Sequence, residues 1–206
     1  LYLAEDIPTV DSFMDAITNV FHSGDEEMDY PDPYVVMSFA GCEVKSTVMH
    51  CSDNPEWYQI LKISSQFPSM CERIKIQIRD CGHIGSDKII CTRFASVTAL
   101  SCLENDGFLP TFGPCFVNIY GAPLENNELQ DKFKDMNTGK VEGVAYRGRV
   151  LMQLKTSLSE LTDRAVDAMI EEDRMYANKF MRKRKYRIYG TFYSATLICS
   201  SLVDSP

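Results

Sequence analysis

The 206-residue sequence holds no C-x-x-C pair and no N-x-[ST] sequon. No apolar run approaches the roughly 20 residues that cross a bilayer as a helix. There is no G-x-S-x-G elbow, no G-x-x-x-x-G-K-[ST] loop and no H-E-x-x-H pair. Gly139, Gly143 and Gly148 fall in a loop and at a strand start, and form no phosphate cradle. With no recognisable pairing of nucleophile and base, the chain reads as non-enzymatic. An excess of cations is also missing: 21 Lys and Arg stand against 29 Asp and Glu, a formal charge of −8, which argues against a general nucleic-acid binder. The opening, LYLAEDIPTVD, has neither a signal-peptide pattern nor an initiator Met, so a piece of a longer protein is expected.

The cysteines are Cys42, Cys51, Cys71, Cys81, Cys91, Cys102, Cys115 and Cys199, several beside strand-like apolar runs. They read as free thiols acting as small buried hydrophobes in a reducing compartment. The stretch IRDCGHIGSDK (78–88) places Cys81 and His83 two positions apart. A closed zinc site needs four donors, and nothing in the sequence brings His22 or His50 to that pair, so it reads as incidental. The Asp80 carboxylate beside Cys81 is expected to raise the thiol pKa and lower its reactivity.

Most of the chain has the two-residue period of β-strands. The runs are PYVVMSF (33–39), EVKSTVM (43–49), EWYQILKI (56–63), RIKIQIR (73–79), KIICTRFASV (88–97), CFVNIYG (115–121) and GRVLMQLKTS (148–157), with a strand end over 1–9. In RIKIQIR the isoleucines fall on one face and Lys75, Gln77 and Arg79 on the other, as in a half-buried antiparallel strand. Seven or eight short strands with no helix between consecutive ones predict an all-β sandwich. An insertion over 10–33 carries a helical apolar spacing at Phe13, Met14, Ile17, Val20 and Phe21, then the acidic Asp25, Glu26, Glu27, Asp29 and Asp32. The polar stretch 122–146 reads as a long loop. After Leu158 the pattern turns helical, with a stripe of Leu161, Val166, Met169 and Ile170 interrupted by Glu171, Glu172 and Asp173.

DPYV (32–35), NPEW (54–57), FPSMCERIKI (67–76), GFLPTFGPCFVNIYG (107–121), GKVEGVAYRGRVLMQL (139–154) and RKRKYRIYGTFYSAT (182–196) resemble the ferlin family, in its third C2 domain and the linker after it. The resemblance runs from residue 1 to about 197; CSSLVDSP departs from it, and the first strand reads as truncated. It implies an eight-stranded antiparallel C2 β-sandwich over 1–157. A helical linker with a basic segment and the start of another strand would follow over 158–206. Ferlins are large, tail-anchored, cytosol-facing proteins of vesicle fusion and membrane repair, and their C2 domains bind calcium, anionic phospholipid or partner proteins.

The family's calcium site draws about five aspartates from two loops. By position, Asp11 and Asp32 match the first-loop pair and Asp80 the first of the third-loop set. Gly82 stands where the next ligand would be, and Lys88 puts a cation where the last would be. Asp87 is next to Lys88, but adjacent strand-end side chains point oppositely. Calcium needs roughly six to eight oxygens, so binding is expected to be weak or absent, with Lys88 supplying positive charge internally. The acidic residues 25–29 could still add carboxylates.

The second candidate site is Lys179, Arg182, Lys183, Arg184, Lys185 and Arg187, an acid-free basic run among Phe180, Tyr186, Tyr189, Phe192 and Tyr193. Near an anionic leaflet each cation contributes on the order of 1 kcal/mol. The same run also suits a solvated helix end, or a counter-charge to the acidic residues of the chain. Phe13, Met14, Ile17 and Phe21 suit bilayer insertion or, more commonly, packing on the sandwich edge. The expected function is a non-catalytic module of membrane fusion, trafficking or repair. It would associate with anionic phospholipid at the cytosolic face, with neighbouring domains of the full-length protein as further partners. The alternative is a calcium-independent C2 domain that spaces neighbouring domains or binds protein.

Overall fold

The structure, a computed structural model, describes residues 1–9, 30–66, 69–82, 87–104, 107–123, 133–157, 165–181, 187, 189–191 and 193, with the backbone alone for 102–104 and 107–110. In chain order the elements are β1 (Leu3–Glu5), β2 (Pro33–Phe39), β3 (Cys42–Lys45), β4 (Gln59–Leu61), β5 (Arg73–Asp80), β6 (Lys88–Ser96), α1 (Val97–Leu100), β7 (Ser101–Glu104), β8 (Gly107–Pro110), β9 (Phe112–Gly121), α2 (Lys134–Asn137), β10 (Ala145–Leu154), β11 (Val166–Ala168) and α3 (Glu171–Ala177).

Two antiparallel sheets face each other, one ordered β3-β2-β5-β6 and the other β1-β10-β9. Their inner faces meet through Val35, Ile78, Ile90 and Cys91 on one side and Ala4, Ile119 and Val150 on the other, with Ile7 and Trp57 closing the cluster. Removing these side chains from water is the main stabilising term of a sandwich this size. Burial of Cys91 pushes its thiol up to about 12, so it behaves as a hydrophobe.

The strand expectations hold in outline and shift at their ends. EWYQILKI keeps only Gln59–Leu61, because Tyr58 adopts a left-handed φ of 45° just before it. The stretch 122–146 is not all loop: it contains α2 and the start of β10. That segment covers part of the larger sheet, which the alternation in RIKIQIR did not indicate. Gln77 is only 1% exposed, and its Nε2 donates to Thr92 Oγ1 at 3.0 Å. Gly139, at φ 68°, sits so close that a Cβ there would lie 2.0 Å from Gln77 Nε2. Glu142 accepts the Phe94 backbone N–H at 2.7 Å and pairs with Arg93 at 3.1 Å, which occupies hydrogen-bonding groups on the edge of β6.

The largest departure lies after residue 164. A helix is expected through this region, but Val166–Ala168 is extended and pairs antiparallel with Gln59–Leu61. The Lys62 backbone N–H donates to Ala165 O at 2.7 Å, and its ammonium pairs with Asp167. β4 offers a row of backbone donors and acceptors, and satisfying that edge outweighs the local helical period. Glu171, Glu172 and Asp173, which interrupt the apolar stripe, form the first turn of α3, where carboxylates complement the helix dipole. Ala177 is fully buried against Tyr2, Leu3 and Leu151, with Tyr58, Phe116, Met169 and Met181 around them. The C-terminal segment therefore covers the outer face of the β1-β10-β9 sheet.

Gly148 sits in a bulge of β10 at φ 103°, and a Cβ there would lie 2.4 Å from Glu5 O. Replacing it with Ala should cost on the order of 3 kcal/mol or more, from left-handed strain plus backbone overlap. Urea unfolding of Gly148→Ala checks this; a change below about 1 kcal/mol would contradict the packing described.

Candidate functional site

The loops entering β2, leaving β3 and joining β5 to β6 meet at one end of the sandwich. Pro33 pairs with Asp80, and Asp80 with Lys88, which brings Asp32, Asp80, Cys81, Asp87 and Lys88 together. After β3 the chain continues beside β2 through Met49 N–H to Pro33 O and Ser52 N–H to Pro31 O, which carries His50 and Cys51 to the same place.

Asp32 is bonded on every side. Its backbone N–H donates to Asp80 Oδ1 at 2.7 Å, and its carbonyl accepts the Cys81 N–H at 3.0 Å. Its Oδ1 accepts the Cys51 N–H at 2.7 Å, and its Oδ2 lies 3.1 Å from His50 Nδ1, an ion pair when the imidazole is protonated. The side chain is only 15% exposed. Cys51 is held at a left-handed φ of 51°, which aims its N–H at the carboxylate. Asp87 is engaged elsewhere: it accepts from the Tyr34 hydroxyl. Burial raises the Tyr34 pKa, the Asp87 hydrogen bond raises it further, and Arg79 opposes both.

Of the expected calcium ligands, Asp32 and Asp80 come together, while Asp11 and the acidic residues 25–29 lie outside the described residues. Gly82 offers no side-chain oxygen, and Lys88 is registered opposite Asp80. Among the described residues no three His, Cys, Asp or Glu side chains are grouped to hold a metal ion. The described donors do not fit calcium, which requires roughly six to eight converging oxygens. His83 lies outside the described residues. Burial raises the Cys81 pKa, and the carboxylates of Asp87, Asp32 and Asp80 act in the same direction. His50 and Cys51 were not legible as site residues, because their arrival depends on pairing beyond β3 and on a left-handed cysteine.

In the basic segment, the Lys179 ammonium lies 5.2 Å from the Tyr176 ring centroid, and Arg187 Nη1 donates to the Tyr189 hydroxyl at 3.2 Å. Arg182, Lys183, Arg184 and Lys185 lie outside the described residues.

The C2 domain family matches residues 12–106. The chain is 33% identical over 210 residues to myoferlin of Mus musculus, covering 96% of this chain and 10% of that protein. It is 36% identical over 221 residues to myoferlin of Xenopus tropicalis, covering 96% and 12%. This is a ferlin-like C2 region. The ferlin-like region also matches Fer-1-like protein 4 of Mus musculus, at 30% identity over 162 residues, 78% of this chain and 8% of that one. It spans about a tenth of the length of the myoferlins it matches.

Two outcomes follow from this geometry. Asp32→Asn should destabilise the fold by about 1–3 kcal/mol with calcium chelated, since the carboxylate serves backbone and imidazole donors. Urea titration in chelator tests it, and unchanged stability would contradict that role. At mildly alkaline pH, Cys81 should be alkylated by iodoacetamide more slowly than exposed Cys42, because its thiolate is disfavoured. Peptide mass spectrometry reads the two rates, and equal rates would contradict it.

Proposed function

We propose that this ferlin-like region is a non-catalytic C2 module that associates with anionic phospholipid at the cytosolic face of a membrane, in fusion, trafficking or repair, with weak or absent calcium dependence. The observation that carries the lipid reading is the separation of charge. Asp32, Asp80 and Asp87 gather at one end of the sandwich, whereas Lys179–Arg187 is an acid-free basic run in a chain of net charge −8. Calcium independence is supported by Asp32, whose carboxylate already receives the donors of His50 and Cys51, and by Lys88 opposite Asp80. In this reading Lys88 supplies the positive charge that relieves the aspartates.

Sedimentation with phosphatidylserine vesicles tests the proposal. Binding should be equal in calcium and in chelator. It should fall by about tenfold or more when Arg182, Lys183, Arg184 and Lys185 are changed to Gln. Binding that requires calcium would defeat the calcium-independent reading. No binding in either condition would favour a C2 domain that spaces its neighbours or binds protein.

A further inference from the structure

The C-terminal segment presents a compact apolar surface beside its cations. Ala177 fixes α3 to the sandwich, and Arg174 lies 4.4 Å over the Tyr58 ring while pairing with Glu171 at 3.4 Å. Both contacts fix which side of the helix faces out. Met175 lies two residues, about 200° of helical rotation, from Ala177, and Lys179 follows in the turn after the helix. Met175 is 63% exposed, Tyr176 45% and Phe180 39%. Tyr176 and Phe180 meet edge to face, with centroids 5.4 Å apart at 70°, and Lys179 sits over Tyr176. Three large apolar side chains are thus held exposed next to an ammonium, and they lead directly into the basic run. Exposed apolar groups cost free energy in water and gain it at the headgroup–acyl boundary, where aromatics and lysines both sit well.

We infer that Met175, Tyr176 and Phe180 form a hydrophobic anchor that inserts at the surface of an anionic bilayer while Lys179 engages its headgroups. The occupant is assigned from charge complementarity: this surface joins apolar area to cations with no acid from residue 174 to 187, whereas the aspartate-lined loop end would be repelled by the same leaflet. The sandwich would then approach the bilayer by the side covered with α3 and not by its loop end. This inference rests on the phospholipid reading above and adds an apolar component to it.

Salt separates the two components, because screening weakens headgroup attraction and leaves apolar insertion. The chain should retain binding to phosphatidylserine vesicles in high salt, and Met175→Glu should reduce that salt-resistant binding by about tenfold. Met175 is exposed and belongs to neither core cluster of the described residues, so the thermal melt should be unchanged. Met70→Glu, at a 99% exposed methionine in the segment before β5, should leave binding intact. Tyr176→Ser with Phe180→Ser, which keeps every cation, should match Met175→Glu. If binding persists at low salt but is equal in all variants and vanishes in high salt, the anchor is wrong and the headgroup reading stands. If the chain does not bind in any condition, both fall. If the substitutions leave vesicle binding unchanged but abolish self-association seen by ultracentrifugation, the patch is a contact between copies and the anchor is again wrong.

Discussion

Asp32 holds the loop end of the sandwich in one arrangement. A backbone donor, a backbone acceptor and two carboxylate oxygens from this one residue reach Asp80, Cys81, Cys51 and His50. A half-buried carboxylate left without donors would be costly, while each charge-assisted hydrogen bond it accepts contributes about 1.5–3 kcal/mol. The positions of the three loops are therefore linked: displacing one leaves the aspartate short of a partner. In a C2 domain that binds calcium, a metal would draw such loops together. Among the described residues, backbone N–H groups and an imidazole link these loops through Asp32.

Charge at this end is managed locally as well. Asp87 turns to the Tyr34 hydroxyl, and Lys88 stands opposite Asp80 in the strand register. The remaining negative field shows in the Cys81 thiol, whose pKa is raised by burial and by all three aspartates. Anionic headgroups would meet the same field unfavourably, which turns attention to the opposite charge of the C-terminal segment. That segment completes the fold, since β11 satisfies the edge of β4 and Ala177 buries the outer face of the smaller sheet with Tyr2, Leu3 and Leu151. The cations that follow it begin from a fixed point on the sandwich.

The sandwich was legible because its strands alternate: Ile74, Ile76 and Ile78 announce a buried face without any knowledge of the partner strands. The end of β4 was not, because Tyr58 takes a left-handed φ that tyrosine does not favour. Gln77 read as a solvent-facing residue and is buried, because a segment more than sixty residues later packs Gly139 over it. Val166–Ala168 carried a helical period and became a strand, because the open edge of β4 outweighed it. At the loop end, Asp32 and Asp80 could be placed by position alone. His50 and Cys51 could not, since they reach Asp32 only through pairing beyond β3 and one unusual backbone angle. In each case the misread feature was decided by a contact distant in sequence.

We propose that internal donors, and not calcium, satisfy Asp32, Asp80 and Asp87 in this C2 region. Thermal unfolding in millimolar calcium against chelator tests it directly, because a ligand that binds only the folded state must raise the melting temperature. Calcium at about 100 times its dissociation constant would add roughly 2.7 kcal/mol, a rise of about 5–11 °C for a chain of this size. Coincident transitions are expected in the two conditions. A calcium-dependent rise of about that size, absent when Asp32 is replaced by Ala, would contradict it.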